Sequence, residues 1–209
     1  VGFTEIEAHR HVTWQPSLLA IDEPDFDPAL GGAQRRFLGD GAWVDVVTGW
    51  VTGADTLFDR VYESAPWKAY ERPMYERIVD VPRLTATGVW IERPRELDRM
   101  ARCLGRRYGV RLPSISANLY RDGRDSVAWH GDRIGKVRSD AIVAILSLGA
   151  TRTLLLRPDG GGQSISFTMR SGDLVVQGGT CQRTFEHCVP KRARAGPRIS
   201  VMFRQKGGN

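Results

Sequence analysis

Residues 141–179 read AIVAILSLGATRTLLLRPDGGGQSISFTMRSGDLVVQGG. Four short β-prone runs, 141–148, 152–157, 163–169 and 173–177, are divided by Gly149, Pro158 to Gly162, Gly172 and Gly178-Gly179. Runs of this length, rich in Val, Ile, Leu and Thr and bounded by Gly/Pro turns, read as antiparallel strands. The same grammar continues outward, with 115–121 and 126–132 upstream and 183–189 and 198–204 downstream. No helical period interrupts these runs, which argues for a sandwich or closed double sheet and against a βαβ fold. About eight strands behind a mixed start predict an α+β protein, a jelly roll with helices packed on one side.

The N-terminal half is read differently. Residues 1–40 look like an extension, with a strand at Trp14 to Ile21 and breakers at Pro24, Pro28 and Gly31-Gly32. Ala42 to Val51 reads as one strand. Thr52-Gly-Ala-Asp55 has the spacing of a capping box, and the helix after it sets Leu57, Phe58, Val61, Tyr62 and Ala65 on one face until Pro66. A second helix runs from Pro94 to about Arg107, with Leu97, Met100, Ala101 and Leu104 inward and Gly105 or Gly109 as its stop. Arg95, Arg99, Arg102 and Arg106 form its polar face, most simply a solvated one, with a phosphate contact as the alternative. The expected organisation is a single domain over 1–209, with the jelly-roll core at 114–209 and the extension and helices at 1–113.

Composition narrows the class. The 209 residues are 41% hydrophobic and carry a net charge of +6, with a pI near 9.6 and a mean hydropathy of −0.32. No run approaches the roughly 20 apolar residues of a membrane helix. Val1 to Trp14 has no apolar signal core. Three cysteines, Cys103, Cys181 and Cys188, make an odd count without a disulfide framework. The expectation is a reduced, cytoplasmic monomer with no membrane partner. The basic balance suits a polyanionic partner, and equally an ordinary basic surface.

His130-Gly131-Asp132 and the later His187 are the candidate chemistry. On a strand, residues i and i+2 share a face, so His130 and Asp132 can converge on one ion. Two histidines and a carboxylate form the ligand set of a non-haem Fe(II) oxygenase, with positions left open for O2 and a co-substrate. An isolated HxD is weak evidence. Cys188 beside His187 raises a zinc reading, but no CxxC pair and no fourth clustered ligand support it. The strand Arg198 to Arg204 adds weight. Its two arginines fall on one face about 20 Å apart, and their planar forks suit the two ends of a dicarboxylate if they reach inward. Ile199, Val201 and Phe203 take the other, packed face. Standing alone, the strand would read as an edge with polar residues outside.

These stretches, with Asn118-Leu-Tyr120, Trp129-His-Gly-Asp132, Ser147-Leu-Gly149 and Gly172 to Gly179 in one order over residues 116–204, resemble the AlkB family of nucleic-acid dealkylating dioxygenases. The resemblance implies a double-stranded β-helix core with Fe(II) on His130, Asp132 and His187. It implies 2-oxoglutarate held by Asn118, Tyr120 and Arg204, with Arg198 on its far carboxylate. Ser200 stands where many members have Asn, and can still donate a hydrogen bond. The implied reaction spends O2 and 2-oxoglutarate to hydroxylate an N-alkyl carbon on a damaged DNA or RNA base, which then sheds an aldehyde. Reaching such a base needs flipping or a single strand. The segment Trp67 to Arg77 corresponds to the family's nucleotide-recognition lid. Trp67 or Tyr75 would stack on a base, and Arg72, Arg77, Arg83 and Arg133 would meet phosphate or substrate. Trp67 reads equally well as a core residue after the first helix. Many members carry an acid where this chain has Ile134, which leaves the preferred lesion open. Two other functions compete: the same chemistry on a protein or small molecule, and a non-catalytic nucleic-acid-binding module.

Overall fold

The computed structural model describes residues 22–74, 77–80 and 82–206. In chain order its elements are β1 (Asp25–Phe26), β2 (Gln34–Gly39), β3 (Ala42–Val47), β4 (Val51–Thr52), α1 (Ala54–Ser64), β5 (Glu71–Met74), β6 (Arg77–Asp80) and β7 (Leu84–Ala86). There follow α2 (Arg95–Tyr108), β8 (Ser114–Tyr120), β9 (Val127–His130), β10 (Val143–Gly149), β11 (Arg152–Pro158), β12 (Ile165–Met169), β13 (Leu174–Gly179), α3 (Cys181–Thr184), β14 (Phe185–Val189) and β15 (Arg198–Arg204).

The eight strands β8 to β15 split four and four. β13-β10-β15-β8 lie in the larger sheet and β12-β11-β14-β9 form the smaller one. The pairings are antiparallel, and the chain switches sheets along its length as a jelly roll does. Strand alternation gives the larger sheet two packed faces. Val143, Ile145, Val175 and Met202 point between the sheets, against Leu154, Leu156, Phe167 and Met169. Ala144, Leu146, Val176, Val201 and Phe203 point the other way, against Leu57, Phe58 and Val61 of α1 and Leu97, Met100 and Leu104 of α2. β10 and β13 therefore read as continuous apolar runs, as strands buried on both faces do.

Several expectations need correction. Residues 22–40 are no mere extension. β1 pairs with β4, and β2 pairs with β3 as the outer strand of the larger sheet. The signal was Asp40-Gly41, whose φ values of 49° and 78° make the two-residue turn that suits a right-twisted hairpin. The strand expected over 42–51 is two, broken at Thr48–Gly49. The capping box does not form. The cap of α1 is Gly53, in the left-handed region at φ 59°, with no side-chain cap bond. A Cβ there would lie 2.5 Å from the Asp22 carbonyl oxygen, so only glycine fits. α2 ends at Gly109, φ 67°, whose N–H returns to the Gly105 carbonyl. The strand expected at 126–132 stops at His130, so Asp132 caps a 3-10 turn, Arg133–Lys136, instead of sharing a strand with it. A short helix, α3, takes the start of the strand expected at 183–189. The segment expected as a lid, Trp67 to Arg77, contains β5 and the first residue of its antiparallel partner β6. The strand expected at Trp14 to Ile21 and the candidate Tyr75 lie outside the described residues.

Candidate active site

β14 lies between β11 and β9, and the register makes His187 the direct cross-strand partner of His130. Residues opposite each other on paired strands hold their side chains about 5 Å apart, and the two imidazole rings sit 4.3 Å apart, tilted by 54°. His130 Nδ1 lies 2.9 Å from the Ala128 carbonyl oxygen. With the proton on Nδ1, Nε2 keeps its lone pair for a ligand. His187 is buried. Burial, and then the neighbouring His130, depress its pKa to about 4 against the pull of Asp132. It is therefore neutral near pH 7, the form that binds metal.

Asp132 completes the group. Burial alone would raise its carboxyl, but Arg204 and the two imidazoles outweigh that and hold it below the usual carboxylate range. Arg204 reaches both its oxygens, Nη2 to Oδ1 at 3.0 Å and Nε to Oδ2 at 3.2 Å, while Nη1 donates to Ser116 Oγ at 2.9 Å. Among the described residues no three His, Cys, Asp or Glu side chains form a ready-made metal cluster, and the Asp132 carboxylate is spent on Arg204. The donor set nevertheless fits a divalent iron: two imidazoles, that of His187 held neutral, and a carboxylate that is ionised at neutral pH.

The backbone behind Asp132 is held as well. Its N–H donates to Gln182 Oε1 at 3.3 Å, and Gln182 Nε2 donates to Gln177 Oε1 at 2.6 Å. α3 presses so closely on the 3-10 turn that a Cβ at Gly135 would lie 2.1 Å from the Gln182 carbonyl oxygen. Neither glutamine was singled out in the sequence. Only the fold brings them to the motif.

A cleft of about 1390 Å³ opens over this group, with Asn118, His130, Asp132 and Arg204 at its wall and Arg83 and Trp129 further along. Arg83 Nη1 donates to the Ser126 carbonyl at 3.4 Å, and its Nε is buried without a partner among the described residues. Trp129 was quoted only as part of the motif; Arg157 lies 4.1 Å over its ring and pairs with Glu186. Ile134 is buried in the core between the sheets and also lines the cleft.

The expected dicarboxylate residues divide into two places. Asn118 and Arg204 face the cleft. Tyr120, Arg198 and Ser200 lie deeper, at 2%, 1% and 3% exposure. Arg198 Nε donates to Ser147 Oγ at 3.0 Å, its guanidinium lies 5.2 Å from the Tyr120 ring centre, and its Nη1 has no partner among the described residues. A buried guanidinium with an unpaired N–H is costly, and a carboxylate would offset that cost. Trp67 is not in the cleft. Its indole donates to the Tyr62 carbonyl at 2.9 Å and packs on the helix-side core.

Residues 83–204 match the family model described as the 2OG-Fe(II) oxygenase superfamily. The chain belongs to that superfamily. Iron(II) and 2-oxoglutarate are the cofactors of this family of dioxygenases, and the chain's curated relatives include proteins named as AlkB homologues. It is 29% identical over 177 residues to alpha-ketoglutarate-dependent dioxygenase alkB homolog 3 of Homo sapiens, covering 74% of this chain and 62% of that protein. It is 31% identical over 120 residues to DNA oxidative demethylase ALKBH2 of Arabidopsis thaliana, covering 46% and 38% respectively. The chain thus spans less than two thirds of the length of these relatives. Among solved structures, OsALKBH1 has a TM-score of 0.56 at 14% identity, covering 81% of this chain and 100% of that one. A 2OG-Fe(II) oxygenase family oxidoreductase from Burkholderia pseudomallei has 0.51 at 15%, covering 74% and 80%. At such identities the likeness is one of fold.

No helix among the described residues of this 2OG-Fe(II) oxygenase is long and apolar enough to cross a membrane.

Proposed function

We propose that this oxygenase removes alkyl groups oxidatively from the bases of DNA or RNA. His130, Asp132 and His187 would hold Fe(II). Asn118, Tyr120, Arg198, Ser200 and Arg204 would hold 2-oxoglutarate. The observation that carries the reading is the paired imidazoles of His130 and His187 beside an Asp132 already ionised against Arg204. Bound iron supplies the oxidising power, and 2-oxoglutarate supplies two of the electrons that O2 consumes.

The chain's own groups do the rest. His130, oriented by Ala128, and the neutral His187 present lone pairs. Arg204, with donors on both Asp132 and Ser116, has the charge to take a carboxylate as well. Arg198 offers its unpaired N–H from a dry site, where a charge-assisted bond is strong.

Nucleic acid is the favoured substrate on two grounds. The curated relatives include a DNA oxidative demethylase. The cleft, at about 1390 Å³, exceeds the roughly 300–1,000 Å³ usual for small-molecule pockets. Arg83 at its wall would meet a phosphate, and Trp129 would offer an aromatic ring on the same cleft lining. The hairpin β5–β6 would serve as the lid, and Tyr75 and Arg133 remain proposed contacts by position in the sequence. Trp67 is better explained as packing.

The test is turnover with Fe(II), 2-oxoglutarate and oligonucleotides bearing 1-methyladenine or 3-methylcytosine. Restored base with stoichiometric formaldehyde is expected. Succinate formation without repair of any methylated DNA or RNA would move the target to a protein or small molecule. Failure to bind iron would end the catalytic reading.

A further inference from the structure

Arg152 opens β11 and is completely buried. Arginine is rarely buried to this degree without an ionic partner. Here the partners are backbone carbonyls. Nη1 donates to Asp122 O at 3.0 Å, and Nη2 donates to Asp125 O and Pro190 O, both at 2.8 Å. Its Nε has no partner among the described residues. Asp125 spends its own carboxylate on Arg121, accepting from the backbone N–H, Nε and Nη2. Arg152 therefore keeps its full charge without a bonded counter-ion.

Arg198 is in the same condition on the facing sheet. Both guanidiniums lie over the Tyr120 ring, at 5.4 Å and 5.2 Å from its centre, so they are within about 11 Å of each other. Burial pulls both below the usual arginine range, and Arg152 pushes Arg198 further that way. Two buried cations around one aromatic ring, neither bonded to a carboxylate, oppose folding unless something anionic completes them. Three carbonyls from two loops fix Arg152 through both its Nη atoms, while Arg198 keeps an Nη1 without a partner among the described residues.

We infer that Arg152 is a positioning residue for the distal carboxylate of the co-substrate, adding its charge to the field around Arg198 and setting Tyr120 between the two. This deepens the 2-oxoglutarate reading above and rests on it. The site selects a dianionic 2-oxo acid over a monoanionic one through two arginines, only one of which bonds the ligand.

The discriminating experiment titrates the full chain, loaded with Mn(II) under anaerobic conditions, with 2-oxoglutarate and with 2-oxobutyrate, which lacks the distal carboxylate. Arg152→Met should weaken 2-oxoglutarate about tenfold or more while holding 2-oxobutyrate within about twofold. Arg152→Lys, which restores the charge, should recover most of the preference for the diacid. If Arg152→Met does not fold, Arg152→Gln, which retains donors for the carbonyls, reads the same ratio. Equal losses for both acids would show a merely structural role and overturn the inference, as would unchanged 2-oxoglutarate binding. Arg198→Met separates the two levels. If it binds 2-oxoglutarate normally, the assignment of the diacid site itself fails. If it loses the diacid while the Arg152 variants do not, only the role of Arg152 fails.

Discussion

Asp132 is secured from two sides, its carboxylate by Arg204 and its N–H by Gln182. Groups that orient a metal ligand usually matter to affinity nearly as much as the ligand. Gln182→Leu keeps the volume but removes the acceptor, and it leaves Gln177 without its amide partner. Co(II) affinity, followed by visible absorption, is expected to fall about tenfold. Unchanged affinity would mean the amide pair only fills space. At this scale the sequence was uneven. His130, Asp132 and His187 were legible because a motif and its spacing mark them. Gln182 and Arg152 were not, because their meaning lies in contacts to residues 50 positions away and 27 to 38 positions away. Trp67 reads two ways because its neighbours in sequence suit both stacking and packing; its hydrogen bond to Tyr62 and its contact with the helix-side core favour packing.

Elements were legible where local chemistry and tertiary packing agree. The strands of the core appeared because glycine turns divide apolar runs, and α2 appeared because its apolar face repeats at helical spacing. The start of α1 misled, since Thr52 and Asp55 have the spacing of a capping box while the backbone instead turns left-handed at Gly53. That turn lets the Asp22 and Glu23 carbonyls approach to where a Cβ would be. Gly53→Ala is therefore expected to lower Tm by roughly 5–10 °C, combining left-handed strain with a backbone clash. A thermal melt within a degree of the parent would show that the entry to α1 relaxes freely. The strand that breaks at His130 has the opposite lesson. Alternation expects His130 and Asp132 to share one face of a strand, yet Asp132 arrives from a 3-10 turn that Gly135 allows to pack against α3.

For the whole molecule, the net charge of +6 said that a polyanion was a fitting partner but not where it would lie. On the proposed function the cleft would supply the place, with Arg83 and Lys191 among its lining residues. If phosphates bind there, oligonucleotide affinity should fall linearly in log–log terms with salt, by about 0.7 to 0.9 per phosphate contact. Arg83→Gln should then lower that slope by about one. An unaltered slope would remove Arg83 from the interface. The jelly roll also explains why the two putting-together steps of the site are not independent. On the proposed assignment, the metal would draw on Asp132 and the diacid on Arg204, and in the structure these two hold each other. Each is the other's place-holder. Whatever free energy 2-oxoglutarate contributes to releasing Asp132, iron must return in equal measure to the release of Arg204, because coupling between two ligands is reciprocal.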